Sequence, residues 1–244
     1  MNIKEMHYDF KMKFNKIDSQ QFRNLKIPEI DWLLNEAVSL FVKNIAFPRK
    51  PSYTKFEQTQ RTIDDIKALV KTQSLTIVSN NPIIYSLPED YQFYVDGYVY
   101  MSKDCCIPDN AKGIKYVGDL IIRKHYTTFD KSPFDNSSFE WRVVNGIFNE
   151  KGLQLYTDGT FEITGVDIVY IKKHPYMHNA EDFGNSGYKR PGTGIILTGT
   201  QNCILDEHTH NEIVDLAVML AQSSIQDLNV QGTMNKIGNF DEIK

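Results

Sequence analysis

Leu153-Gln154-Leu155-Tyr156-Thr157-Asp158-Gly159-Thr160-Phe161-Glu162-Ile163-Thr164 alternates apolar and polar residues on both sides of an Asp-Gly pair. A period of two places Leu153 with Leu155, and Phe161 with Ile163, on single faces of extended segments. Asp-Gly suits the positive-φ turn of a two-residue loop, so the spacing predicts a β-hairpin. Working outward, residues 166–171 read as a following strand. Upstream, residues 139–144, 114–127 and 91–101 are strand-like, and Leu87-Pro88-Glu89-Asp90-Tyr91 marks a turn. Residues 75–78 read as the first strand and 195–197 as the last, which sets a β region of about 75–200. Within it, residues 178–194 are rich in Gly, Asn and charge. They are expected to form an exposed, mobile loop carrying Lys189 and Arg190.

On either side of this region the period lengthens. Pro28 sits where a first helical turn tolerates proline. Ile30, Leu33, Leu34, Ala37, Phe41 and Ile45 then fall on one stripe, while Trp32, Val38 and Val42 add a second apolar side. The spacing predicts a helix over about 29–47, packed on more than one face and ended by Pro48 and Pro51. A second helix over about 56–70, carried by Phe56, Ile63, Ile66 and Val70, completes a helical hairpin. The last helix, about 206–228, turns Ile213, Val214, Ala217, Ala221, Ile225 and Leu228 inward, with Thr209 or Asp206 at its start.

The expected fold class is α+β: an N-terminal helical hairpin, a central antiparallel β-rich domain, a C-terminal amphipathic helix and extended termini. One domain is expected over 27–228. An arm over 1–26 holds Tyr8, Phe10, Phe14 and Phe22 without a sustained period, and a tail over 229–244 holds only isolated apolar residues, among them Met234, Ile237 and Phe240. Segments of this kind order against a neighbour or along the body, so these aromatic and apolar residues are candidate assembly contacts.

The 244 residues suffice for a sizeable core, and 41% apolar with 24% charged residues is the balance of a folded soluble protein. A net charge of -4 leaves no global basic footprint for nucleic acid. Lys4, Lys11, Lys13 and Lys16 cluster, but Glu5, Asp9 and Asp18 interrupt them. The first residues lack the apolar run of a signal peptide and no apolar stretch reaches 18 residues, so neither secretion by that route nor membrane insertion is expected. Cys105, Cys106 and Cys203 show no metal-ligand spacing, and an odd count argues against a disulfide framework, which suits a reducing interior.

No residue pattern points to catalysis. His208 and His210 are two apart, so they do not share a helical face, and no third ligand is evident. Residues 187–194 match a phosphate loop in composition but lack the Gly-Lys-Ser/Thr order. They leave Lys189 and Arg190 for a phosphate backbone or an acidic neighbour. Asp64-Asp65 and Glu89-Asp90 are sequence neighbours, which do not by themselves make an acid/base pair, and Asp64 and Asp65 read as a solvated helix face. Cys105-Cys106 has no activating histidine nearby, and no Gly-x-Ser-x-Gly occurs. No catalytic residue, metal or cofactor is expected.

Several stretches taken together resemble a known family. They are Glu5-Met6-His7-Tyr8-Asp9-Phe10-Lys11-Met12-Lys13, Asn15-Lys16-Ile17-Asp18-Ser19-Gln20 and Ile27-Pro28-Glu29-Ile30-Asp31-Trp32-Leu33-Leu34-Asn35-Glu36-Ala37. Ser86-Leu87-Pro88-Glu89-Asp90-Tyr91 and His210-Asn211-Glu212-Ile213-Val214-Asp215-Leu216-Ala217-Val218 add to them. The chain resembles the head-to-tail connector ring proteins of crAss-like tailed phages that infect gut Bacteroidales. The resemblance implies a virion protein, made in the host cytoplasm, that forms a ring expected to be twelvefold. It implies a place beneath the portal, extending the DNA channel toward the tail. The implied partners are further copies of itself, the portal, adjacent connector or tail rings, and DNA in transit. Two other readings stand beside it: a baseplate or tail-fibre attachment protein, and a glycan-binding module.

Overall fold

The computed structural model of the chain describes residues 1–15, 25–46, 64–103, 116–123, 136–184 and 186–224. It divides into two compact units, Met1–Leu69 with His174–Lys244, and Val70–Lys173. The fold class is α+β as expected: a pair of N-terminal helices, a large curled and mostly antiparallel sheet, and a C-terminal helix.

The second unit is the sheet. Its strands are β1 (Val70–Ser74), β2 (Thr76–Asn80), β3 (Ile83–Ser86), β4 (Tyr91–Ser102), β5 (Tyr116–Ile122), β6 (Val143–Asn149), β7 (Gly152–Tyr156) and β8 (Glu162–Lys172). They lie in the order β1-β8-β4-β5-β6-β7-β3-β2, with β5 and β6 parallel and the other pairs antiparallel. β1 and β2 stand at opposite ends of that order, yet only Leu75 separates them along the chain. The sheet must therefore curl until its two ends meet at Leu75, where β1 runs on into β2 without the two pairing. Val99, Met101, Leu120, Val144, Leu153, Leu155, Val166, Ile168 and Tyr170 fill the interior. They are the alternate residues of their strands, and burying each large side chain contributes about 1.5–3 kcal/mol.

The expected hairpin at Asp158-Gly159 is corrected here. β7 pairs with β6 and β3, whereas β8 pairs with β4 and β1. The turn chemistry is present, since Asp158 Oδ1 accepts from Thr160 N at 2.9 Å and Gly159 has φ 79°. It redirects the chain across the sheet instead of folding β8 back on β7. Two-residue loops do close hairpins at Asn81-Pro82, between paired Asn80 and Ile83, and at Glu150-Lys151, between paired Asn149 and Gly152. Gly152 has φ 131°, and an added Cβ would meet Tyr85 O at 2.2 Å, so only glycine serves there. The segments expected as separate strands around 160–164 and 166–171 are one strand, β8. Val70, expected in a helix, lies in β1.

In the first unit, α1 (Ile3–Asn15) takes the place of the first part of the arm expected over 1–26, whose residues 16–24 lie outside the described residues. Ile3, Met6, His7, Phe10 and Phe14 form its buried stripe. Asn2 and Glu5 cap it reciprocally: Asn2 Oδ1 accepts from Glu5 N at 2.8 Å and Glu5 Oε2 from Asn2 N at 2.8 Å. α2 (Ile27–Ala46) matches its prediction, except that Leu33 is half-buried and Trp32 exposed, while Val38 and Val42 join the core. The second expected helix lies mostly outside the described residues; residues 64–66 form a helical turn that runs into a 3-10 turn, Lys67–Leu69. α3 (His210–Ser224) packs against both α1 and α2 through Ile213, Val214, Ala217, Val218 and Ala221. Lys13 on α1 adds an ion pair to Asp215 at 2.7 Å.

The expected loop over 178–194 is exposed at residues 181–184 and 191–194, but it is tied down by two short strand pairs. β9 (His178–Asn179) pairs with β12 (Thr200–Gln201), and β10 (Tyr188–Lys189) pairs with β11 (Ile196–Leu197). Gly187 makes this possible: φ is 63°, and a Cβ would sit 1.9 Å from Leu197 O.

Candidate functional site

The most concentrated polar chemistry lies inside the first unit. Asp31 on α2 is 0% exposed. Its carboxylate meets His7 Nε2 from α1 at 2.7 Å, accepts the Tyr188 hydroxyl, and faces Asn179 N at 3.2 and 3.3 Å. One turn later Asn35 behaves as a missing strand partner: its amide donates to Met177 O at 2.7 Å and accepts from Met177 N at 2.8 Å. Burial, then the bond to Asp31, pushes the Tyr188 phenol far up, so it stays a donor. Asp31, His7 and Tyr188 resemble a catalytic constellation, but all three are buried. General acid–base chemistry needs contact with substrate. Their geometry instead satisfies buried polar groups and fixes the segment after residue 174 on α2.

The histidine pair is separated. His208 Nε2 stands 2.6 Å from Asp65 Oδ1, and His210 Nε2 2.9 Å from Leu205 O. Among the described residues, no group of three or more His, Cys, Asp or Glu could hold a metal ion. Burial pushes the Cys203 thiol up to about 11, which keeps it a poor nucleophile. Its sulfur lies 3.5 Å from His174 Nε2, which accepts from Ile204 N at 3.0 Å. Asp65, read as solvated, is bonded to His208, and Asp206 pairs with Lys67 at 2.9 Å.

The candidate assembly residues divide. Phe10 and Phe14 are buried, with ring centroids 5.6 Å apart, and serve the core of the chain itself. Tyr8 is 68% exposed and lines a shallow depression of about 490 Å³ with Lys4, Glu5 and Asn211. Phe22, Met234, Ile237 and Phe240 lie outside the described residues. Lys189 is exposed; the Arg190 guanidinium sits 4.1 Å from the centroid of the Tyr176 ring, in the range of a cation–π contact.

Two features escaped the sequence reading. Asp31 lies three, seven and eleven residues before Leu34, Val38 and Val42, so a carboxylate on a buried stripe was there to be seen. Trp141, 83% exposed, carries no sequence signal, because nothing local distinguishes a core tryptophan from a surface one. No described helix is long and apolar enough to cross a membrane.

These features define an α+β protein with a curled sheet, whose polar interior ties elements together and whose exposed apolar residues lie on open faces. No family model matches the chain. It is similar to Ring protein 4/5 of Bacteroides phage crAss001, at 23% identity over 240 residues, covering 93% of this chain and 94% of that protein. The similarity thus runs nearly end to end in both, in agreement with the resemblance to crAss-like phage ring proteins read from the sequence.

Proposed function

We propose that the chain is a structural ring protein of a crAss-like phage virion, and that its ring belongs to the head-to-tail connector beneath the portal. The end-to-end similarity to a phage ring protein carries this reading. A ring needs a heterologous contact that closes, which a chain meets with two different surfaces and no pocket. The net charge of -4 suits a channel that lets DNA pass without gripping it, since affinity for the phosphate backbone rests on lysine and arginine. In this reading the partners are further copies of the chain, twelve to a ring, together with the portal and the adjacent rings. The tail over 229–244 docks on a neighbour, and no reaction is catalysed.

The test is mass photometry of the purified chain over a concentration series, followed by co-purification with portal protein. A discrete species near a dozen subunits that binds portal is the expected result. A ring that binds a tail-fibre protein and ignores the portal would move the chain to the attachment role. Binding to glycans by a chain that stays monomeric would replace the ring reading altogether.

A further inference from the structure

Trp141 sits at the tip of a turn that holds itself rigid without it. Ser138 N donates to Val143 O at 2.9 Å and Val143 N to Ser138 O at 3.1 Å, while Arg142 N donates to Phe139 O at 3.2 Å. Phe139 packs against Tyr116 and Phe161, at centroid distances of 5.3 and 6.1 Å. Lys103 Nζ lies 5.4 Å from the centre of the Phe139 ring and pairs with Glu140 at 2.8 Å. Arg142 is held at φ 54°, the left-handed region that a non-glycine residue seldom occupies. None of these contacts asks for tryptophan at the tip. A large aromatic ring on a fixed support, in water, is the form of an interface anchor.

The anchor borders a larger face. Asp119 N donates to Arg142 O at 2.8 Å, which brings the turn against β5. There Asp119 pairs with Tyr98 of β4, and Val117 with Tyr100. Tyr98 and Val117 are 38% and 47% exposed, so the tryptophan does not stand alone. The face is acidic as well. Asp96 accepts the Tyr98 hydroxyl at 3.1 Å, and Asp167 accepts the Tyr100 hydroxyl at 2.7 Å and that of Ser74 at 2.5 Å. These donors are neutral, so the bonds order the carboxylates without cancelling their charge. Both phenols are pushed up, Tyr98 by its bond to Asp96 and Tyr100 by its bond to Asp167.

α1 is of mixed charge, but a cation, Lys11, stands between exposed apolar side chains on it. Tyr8, Lys11 and Met12 lie on its solvent side at helical spacing, and Tyr8 borders the shallow depression. We propose that Trp141 and the acidic face around Tyr98 and Asp119 on one copy dock on the Tyr8, Lys11 and Met12 face of a second copy, as the repeating contact of the ring. Lys11 on one face against Asp119 on the other, Arg142 beside Trp141 against Glu5 and Asp9 beside Tyr8, and the uncovered apolar side chains on both faces point to a second copy as the occupant. Each copy offers one face and receives the other, so the contact is heterologous and propagates until it closes. The proposal rests on the ring reading above.

The test uses the full chain in mass photometry. With the wild type forming a discrete ring, Trp141→Ala is expected to raise the half-assembly concentration about thirtyfold, the scale of one interface hot spot, with an unchanged melting temperature. Asp119→Lys and Lys11→Glu are each expected to weaken assembly, and the double variant to recover it. Rings that form normally in all the single variants would overturn this contact and leave the ring reading standing. A double variant weaker than either single one would overturn the pairing of the two faces. A wild type that is monomeric at every concentration would remove the ring reading together with the contact.

Discussion

The interiors of the two units are built on different physics. The sheet unit is held by long ladders, with β4 and β8 paired from Tyr91↔Lys172 to Ser102↔Glu162. Its interior is an apolar cluster whose fully buried Tyr170 directs its hydroxyl to Asp90 at 2.7 Å. The helical unit includes ladders of only two residues, β9 with β12 and β10 with β11. A ladder that short cannot set its own register, and there the side chains of Asp31 and Asn35 supply the fixed points. Long pairing makes register out of backbone and an apolar face; short pairing needs a buried polar tie.

The sharpest way to break that contrast is Asp31→Ala. It leaves the Tyr188 hydroxyl, His7 Nε2 and Asn179 N buried without their acceptor, at an expected cost of about 3–5 kcal/mol. Hydrogen exchange is expected to show lost protection at β9 and β10 with β4 and β8 unchanged. Equal loss in both units would mean that the two interiors are not held separately. Leu153→Ala probes the other side: a cavity in the sheet core is expected to cost about 2–5 kcal/mol. Its signature is lost protection across β6 and β7, with the amides near Asp31 retained, and an unchanged melting transition would place Leu153 outside the core.

The smallest effect is that of acid. The Tyr170 hydroxyl, then Lys71, holds Asp90 below the ordinary carboxylate range, and Asn179, then Lys4, does the same for Asp182. Lys67 depresses Asp206 likewise. A depressed folded pKa contributes stability that is complete above the unfolded value, near pH 4, and is lost as pH falls through the folded value. These groups are solvent-screened, so a shallow loss below about pH 4 is expected in thermal melts, flatter at high salt. A melting temperature that rises on acidification would reverse the sign and remove these pairs from the account.

How much was legible depended on the distance over which each signal acts. α2 and most of α3 were readable because apolar spacing and flanking residues lie within one segment. α1 was missed: its Asn2-x-x-Glu5 cap and 3/6/7/10/14 stripe lie in the sequence, but the exposed apolar Tyr8 and Met12 between those positions blur the period. β1 was hard to see because none of its residues is buried, so no alternation exists to find, whereas β2, equally unburied, was read at 75–78 from its short apolar and β-branched run. Trp141 and Asp31 differ again: one carries no local mark, and the other is an acid on an apolar stripe whose partners come from α1 and from Asn179 and Tyr188.

By itself the sequence determined the two long helices, most of the strand positions, the turn at 87–91 and the α+β class. Period, proline and glycine act within a few residues of chain and need no distant partner. Only the tertiary structure decided that β7 and β8 part company across Asp158-Gly159, that β1 and β2 bring the ends of the sheet together, and that Asp31 becomes a buried tie. Those outcomes depend on which segments far apart in sequence bury the most surface and satisfy the most hydrogen bonds. No local pattern contains that comparison.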